Sequence, residues 1–86
     1  MPNVTIYTSP LCGFCHAAKR MFADKGVSYA EIDVAANPSK RQEMMGRATG
    51  RHTVPQIFIG DTHVGGYDDM AALEQSGKLD SLLAAE

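Results

Sequence analysis

Cys12 and Cys15 stand three positions apart in the run Ser9-Pro10-Leu11-Cys12-Gly13-Phe14-Cys15-His16. A thiol attacks as its thiolate, and a second thiol one helical turn away can displace whatever the first has bound, closing a small disulfide ring. The chain has 2 cysteines, and a bridge across so short a span closes almost no loop entropy, so their work is chemical rather than structural. Three other readings compete. Cys12 to His16 also matches C-x-x-C-H, in which two thioethers fix a haem and the histidine supplies an axial ligand; a strand-forming amino end and the lack of an export signal speak against it. Zinc needs four ligands, and His16, His52 and His63 are scattered over different elements with no second knuckle. Two buried, inert thiols fit Cys15 better than Cys12, because Cys15 lies deeper in a helix. His16 reads as a helix-surface residue.

Two further stretches carry weaker signals. In Thr53-Val54-Pro55 the residue before proline must be extended, and an X-Pro bond at a strand entrance is a candidate cis peptide. In Gly65-Gly66-Tyr67-Asp68-Asp69 the glycines let a ligand approach the backbone, and the helix terminus that follows is an anion site. Taken alone, that stretch is equally an aspartate cap after a glycine turn.

The elements that must hold these residues follow from local pattern. Residues 3–8, N-V-T-I-Y-T, are β-branched and aromatic and predict a strand. From 13 to 25 the apolar residues Phe14, Ala18, Met21 and Phe22 recur at helical spacing, which puts Cys12 at a helix amino terminus, where free N–H groups and the helix dipole favour a thiolate. Gly26 stops that helix, and Tyr29, Ile32 and Val34 alternate with Glu31 and Asp33 in a second strand over 27–34. Asn37-Pro38 starts an exposed helix over 39–48. Residues 54–59 form a strand with proline at its entrance, Gly60-Asp61-Thr62 turn it back, and 63–64 complete a hairpin. Asp68 or Asp69 starts a helix to about Ser76, and after Gly77 residues 79–85 add a last helical turn or two. The order β-α-β-α-β-β-α predicts an α/β fold: a four-stranded mixed sheet, the first two strands parallel, with helices on both faces.

Composition narrows the function classes. The 86 residues suit one domain, spanning 1–86, and 44% hydrophobic with 21% charged residues is ordinary for a folded chain. Eight basic against ten acidic residues leave a formal charge of -2, without the basic excess that holds a phosphate backbone, so nucleic acid is not an expected partner. No apolar run approaches a membrane span, and no charged region followed by an apolar one marks an export signal, so the expected compartment is the cytoplasm.

Together the motifs resemble the glutaredoxins, closest to the small bacterial dithiol type. The resemblance runs from Val4-Thr5-Ile6-Tyr7-Thr8 through Cys12-Gly13-Phe14-Cys15, Thr53-Val54-Pro55-Gln56-Ile57-Phe58-Ile59 and Gly65-Gly66-Tyr67-Asp68-Asp69 to the final helix. It implies a thioredoxin fold and glutathione as reductant. By the same resemblance Cys12 is the nucleophile and Cys15 the resolving thiol. Phe14 stands where the family usually has tyrosine and lines the groove. Thr53 and Val54 match positions whose backbone pairs extended glutathione, and Pro55 matches a cis-proline opposite the cysteines. Tyr67, Asp68 and Asp69 match the stretch that holds the γ-glutamyl end, with Gly66 allowing the close approach. Lys40, Arg41, Arg47 and Arg51 are all available for the glycyl carboxylate.

Two departures stand out. The common dithiol sequence is C-P-Y-C, whereas Gly13 and Phe14 reproduce the C-G-F stem of the monothiol branch with the second cysteine retained. Ser9 replaces a frequent lysine. The implied activity is reduction of glutathionylated and disulfide-bonded proteins by a monomer. The alternative is a carrier in which Cys12 and glutathione ligate a [2Fe-2S] cluster bridging a dimer. A thioredoxin-type redoxin fits less well, since thioredoxins usually carry tryptophan before C-G-P-C and this chain has none.

Overall fold

Val4, Thr5, Ile6 and Tyr7 do form the first strand, β1 (Val4–Thr8), in a computed structural model that describes residues 2–85. The chain continues through α1 (Gly13–Asp24), β2 (Ala30–Asp33), α2 (Pro38–Arg47), β3 (Gln56–Ile59), β4 (Thr62–Gly65), α3 (Tyr67–Gln75) and α4 (Lys78–Ala84). The sheet order is β2-β1-β3-β4, with β1 and β2 parallel and the other two pairs antiparallel. Ile6 sits opposite Ile57, and Tyr7 opposite Gln56.

Strand alternation sorts the core into two layers. Val4, Ile6, Ile57 and Ile59 pack against Ala18 and Phe22 of α1, Met70 of α3, and Leu79 and Leu83 of α4. Tyr7 and Phe58 point the other way, against Val34, Met44 and Ala48 at α2. Helices therefore cover both faces, and the expected mixed sheet is the observed one. Phe22 and Met70 are wholly buried, so truncating either to alanine would cost about 2–5 kcal/mol.

The element ends differ from expectation for local reasons. Val27 belongs to the end of α1 rather than to β2: beyond Gly26 (φ 70°) it donates its N–H to Phe22 O at 2.9 Å, closing the helix. β3 starts at Gln56, not Val54, because Pro55 has no N–H for a ladder; the Val54–Pro55 bond is cis. Thr53 and Val54 are thereby left outside the sheet. β4 is longer than expected, as Gly65 still pairs with Ile57 across an irregularity in register. α3 starts at Tyr67 with Gly66 as its cap residue, so neither Asp68 nor Asp69 is the cap.

Candidate active site

Cys12 is the N-cap of α1, with extended backbone (φ -110°, ψ 108°). From there its sulfur accepts the backbone N–H of Cys15 at 3.1 Å. The Cys12 thiol donates to the Val54 carbonyl at 3.6 Å. Cys12 is half-buried and Cys15 entirely so, and both are free thiols. Burial pushes the Cys15 thiol up to about 12, and its hydrogen bond to Cys12 adds to the shift. One sulfur is thus accessible and supplied with a donor, while the other is held back as a thiol.

The loop entering α1 exposes its apolar residues. Leu11 is 100% exposed and Phe14 67%, on either side of Cys12. His16 lies on the helix surface, as expected, and its ring Nε2 is 3.2 Å from Pro10 O, tying the loop to the first turn. The Phe14 ring stacks on Tyr67 with centroids 6.2 Å apart and planes 25° apart. Behind this stack opens a groove of about 260 Å³ lined by Phe14, Arg51, Thr53, Val54, Pro55, Gly66, Tyr67 and Asp68. Larger hollows of about 520 Å³ and 360 Å³ lie at the Asn3/Gly26 edge and between α1 and α3.

Seven of the residues expected in the groove line it, and Asp69 does not. Its carboxylate turns back to accept the Gly66 N–H at 2.9 Å and an Arg51 N–H at 3.2 Å. The backbone N–H of Gly66, followed by Arg51, holds this carboxyl below the usual range. Asp69 therefore fixes the helix start that walls the groove. A Cβ at Gly66 would lie 3.2 Å from an Asp68 carboxylate oxygen, so that side chain would have to shift slightly, and 3.7 Å from Pro55 O, an ordinary contact.

Of the four basic candidates, Arg51 lines the groove. Lys40 bonds Glu43 at 3.2 Å, and Arg41 donates to His52 O at 2.8 Å. Arg47 donates to the Tyr7 hydroxyl at 2.9 Å and lies 4.2 Å over the Phe58 ring, on the opposite layer of the core. Two residues behind the groove were not anticipated: Gln56, wholly buried, and His63, bonded to it at 2.7 Å. The signal for the first was a lone amide in the apolar strand Gln56-Ile57-Phe58-Ile59.

Comparison with known proteins agrees with this arrangement. The family model described as Glutaredoxin matches residues 4–64. Glutaredoxin 3 of Escherichia coli (strain K12) is 52% identical over 83 residues, which are 96% of this chain and 99% of that protein. The solution structure of glutaredoxin from Brucella melitensis superposes with a TM-score of 0.84 at 57% identity, covering 96% of this chain and 89% of that one. A crystal structure of a buckwheat glutaredoxin-glutathione complex has a TM-score of 0.86 at 28% identity, covering 95% and 76%. The thioredoxin fold, the paired thiols at the start of α1 and these relatives lead to one conclusion: the chain belongs to the glutaredoxin family and is a thiol-disulfide oxidoreductase.

Proposed function

We propose that the oxidoreductase draws its electrons from glutathione and acts first on glutathionylated proteins, in the cytoplasm, where reduced glutathione is abundant. The observation that carries this reading is the contact of the Cys12 sulfur with Val54 O, at 3.6 Å, beside a groove of about 260 Å³. The buckwheat relative, solved as a complex with glutathione, supports the same ligand.

In this reading the Cys12 thiolate attacks the glutathione sulfur of the mixed disulfide. The new S–S bond forms as the bond to the substrate breaks, and the substrate thiolate leaves and takes a proton from solvent. A second glutathione thiolate then attacks the glutathione sulfur on Cys12, releasing oxidised glutathione and regenerating the Cys12 thiolate. Protein disulfides take the other route, in which Cys15 attacks Cys12 and expels the substrate. Thr53 and Val54, outside the ladder, offer backbone to the extended tripeptide, and Pro55 forms the groove floor. Tyr67 and Phe14 wall it. The N–H groups at the start of α3 face the γ-glutamyl carboxylate, Asp68 its ammonium, and Arg51 is the cation available to a glutathione carboxylate.

The test is turnover on one peptide presented as a glutathione mixed disulfide and as a cysteamine mixed disulfide, with glutathione as reductant. A lower KM for the glutathione form is expected. Equal KM values overturn the reading.

A second reading, as cluster carrier, rests on Cys12 being the accessible thiol and on Gly13, which leaves the backbone after Cys12 freer than a proline there would. Among the described residues no group of three or more His, Cys, Asp or Glu gathers. A [2Fe-2S] cluster would thus need Cys12 from two chains and two glutathione thiols, and it would supply electron or cluster transfer. Anaerobic reconstitution with iron, sulfide and glutathione checks it: a coloured dimer, strengthened by Cys15→Ser and lost in Cys12→Ser, is expected. A colourless monomer leaves the reductase alone.

A further inference from the structure

Gln56 opens β3 as a wholly buried amide and has both ends engaged. Its Nε2 donates to Thr53 O at 3.0 Å and lies 3.3 Å from Thr53 Oγ1. With the nitrogen committed to Thr53, the amide oxygen is the acceptor for His63 Nε2, 2.7 Å away, which fixes that nitrogen of the imidazole as the protonated one. His63 stands opposite Phe58 in the β3–β4 pair, and its ring stacks on Phe58 at 4.8 Å. Three groups from β4, β3 and the loop before β3 thus form one directed chain, His63 to Gln56 to Thr53, behind the groove wall.

We infer that Gln56 and His63 are positioning residues for ligand recognition, holding the Thr53–Val54 backbone in the extended form that an incoming tripeptide pairs with. The inference rests on the glutathione reading above. Thr53 and Val54 lie outside the strand ladder, so no sheet hydrogen bonds fix them, and the ligand would otherwise have to order them on binding. A buried amide bridging from a sheet residue removes that cost in advance. His63 orients the amide: without its donor the Gln56 oxygen would be buried unpaired, and the side chain would rotate toward another partner. Burial, and then the Arg51 charge, keep His63 below its usual range, in line with a neutral ring carrying one proton on Nε2. The effect falls on binding rather than on sulfur exchange, because neither residue reaches the thiols.

The experiment compares wild type, His63→Phe, His63→Gln and Thr53→Val. His63→Phe keeps a ring against Phe58 and loses the donor, His63→Gln returns an amide N–H at similar reach, and Thr53→Val removes the hydroxyl that accepts from Gln56 while keeping the Thr53 carbonyl. KM and kcat are measured for the glutathione and cysteamine mixed disulfides of one peptide, with hydrogen exchange at the Thr53 and Val54 amides. His63→Phe is expected to raise KM for the glutathione form roughly fivefold to tenfold, with kcat within about twofold, no change for the cysteamine form, and faster exchange at Val54. His63→Gln should return KM to within about twofold of wild type, and Thr53→Val should raise it about twofold to threefold. An unchanged KM in His63→Phe and Thr53→Val, equal losses on both substrates, or a His63→Gln variant as impaired as His63→Phe overturns the inference while wild type still prefers the glutathione form. If wild type shows no preference, the glutathione reading fails and takes the inference with it.

Discussion

The Cys12 sulfur and the Val54 carbonyl oxygen lie 3.6 Å apart although 42 positions separate the two residues. The first ends the loop after β1 and the second precedes β3, and β1 and β3 are neighbours in the sheet. Because β1 and β3 run antiparallel, the end of one and the start of the other meet, and the pairing brings the Cys12 thiol to the edge of the groove.

Cys12→Ser should abolish turnover on a glutathione mixed disulfide, and Cys15→Ser should retain it. Only the Cys12 sulfur is accessible and capped by an N–H. A glutathione-coupled assay on both variants checks this, and activity surviving in Cys12→Ser would remove the assignment.

Reduction of a protein disulfide by way of Cys15 should accelerate with pH. Burial raises this thiol from 9.0 to about 12, so its thiolate is scarce at neutral pH and grows as pH rises. The Cys15-dependent rate should climb roughly tenfold per unit between about pH 6 and 8. The same shift has a stability cost of known sign. The buried thiol's contribution is intact below the unfolded value of 9.0 and is lost as pH climbs toward about 12, because the unfolded chain releases that proton first. Single-turnover rates and alkaline melts of wild type and Cys15→Ser measure the two effects.

Asp68→Ala and Asp69→Ala should separate binding from folding. Asp68 is exposed on the groove wall, so its loss should raise KM for glutathione severalfold with little change in melting temperature. Asp69 bonds Gly66 N–H and Arg51, so its loss should cost about 1 kcal/mol and lower the melting temperature. Reversal of this pattern would exchange the two roles.

Gly65→Ala should be among the most damaging small substitutions outside the core. Gly65 has φ 112°, a backbone region that disfavours any Cβ, and the added carbon would collide with the Asp69 carboxylate and the Arg51 guanidinium. Thermal melting should show a loss of about 2 kcal/mol, accompanied by weaker glutathione binding as the Asp69–Gly66 bond gives way.

The fold and most of the groove were legible because their signals are local. Apolar spacing marked α1, β-branched runs marked the strands, and the family resemblance carried by three short motifs named seven of the groove-lining residues. What escaped depends on directions that only the assembled chain has. Asp68 and Asp69 are neighbours of one type, and the helix start at Tyr67 turns one carboxylate outward and the other back onto Gly66. Arg51 stands out from three other basic residues because the folded chain sets it on the groove, whereas Lys40 pairs with Glu43 within α2 and Arg41 and Arg47 bond His52 and Tyr7. His63 could not be linked to Gln56 from sequence, since their bond depends on the hairpin register that sets His63 beside Phe58.

The complete burial of Cys15 gives the protein an internal clock. A bulky alkylating reagent should label Cys12 at once and Cys15 only when the first turn of α1 opens, so the slow phase of labelling times that opening. Attack of Cys15 on Cys12 needs no such opening, because the two thiols are already hydrogen-bonded to each other. Substitutions that stiffen α1 should therefore lengthen the slow labelling phase while leaving exchange at Cys12 and resolution by Cys15 untouched, so that the exposure of the buried thiol and its reactivity toward its neighbour are set apart.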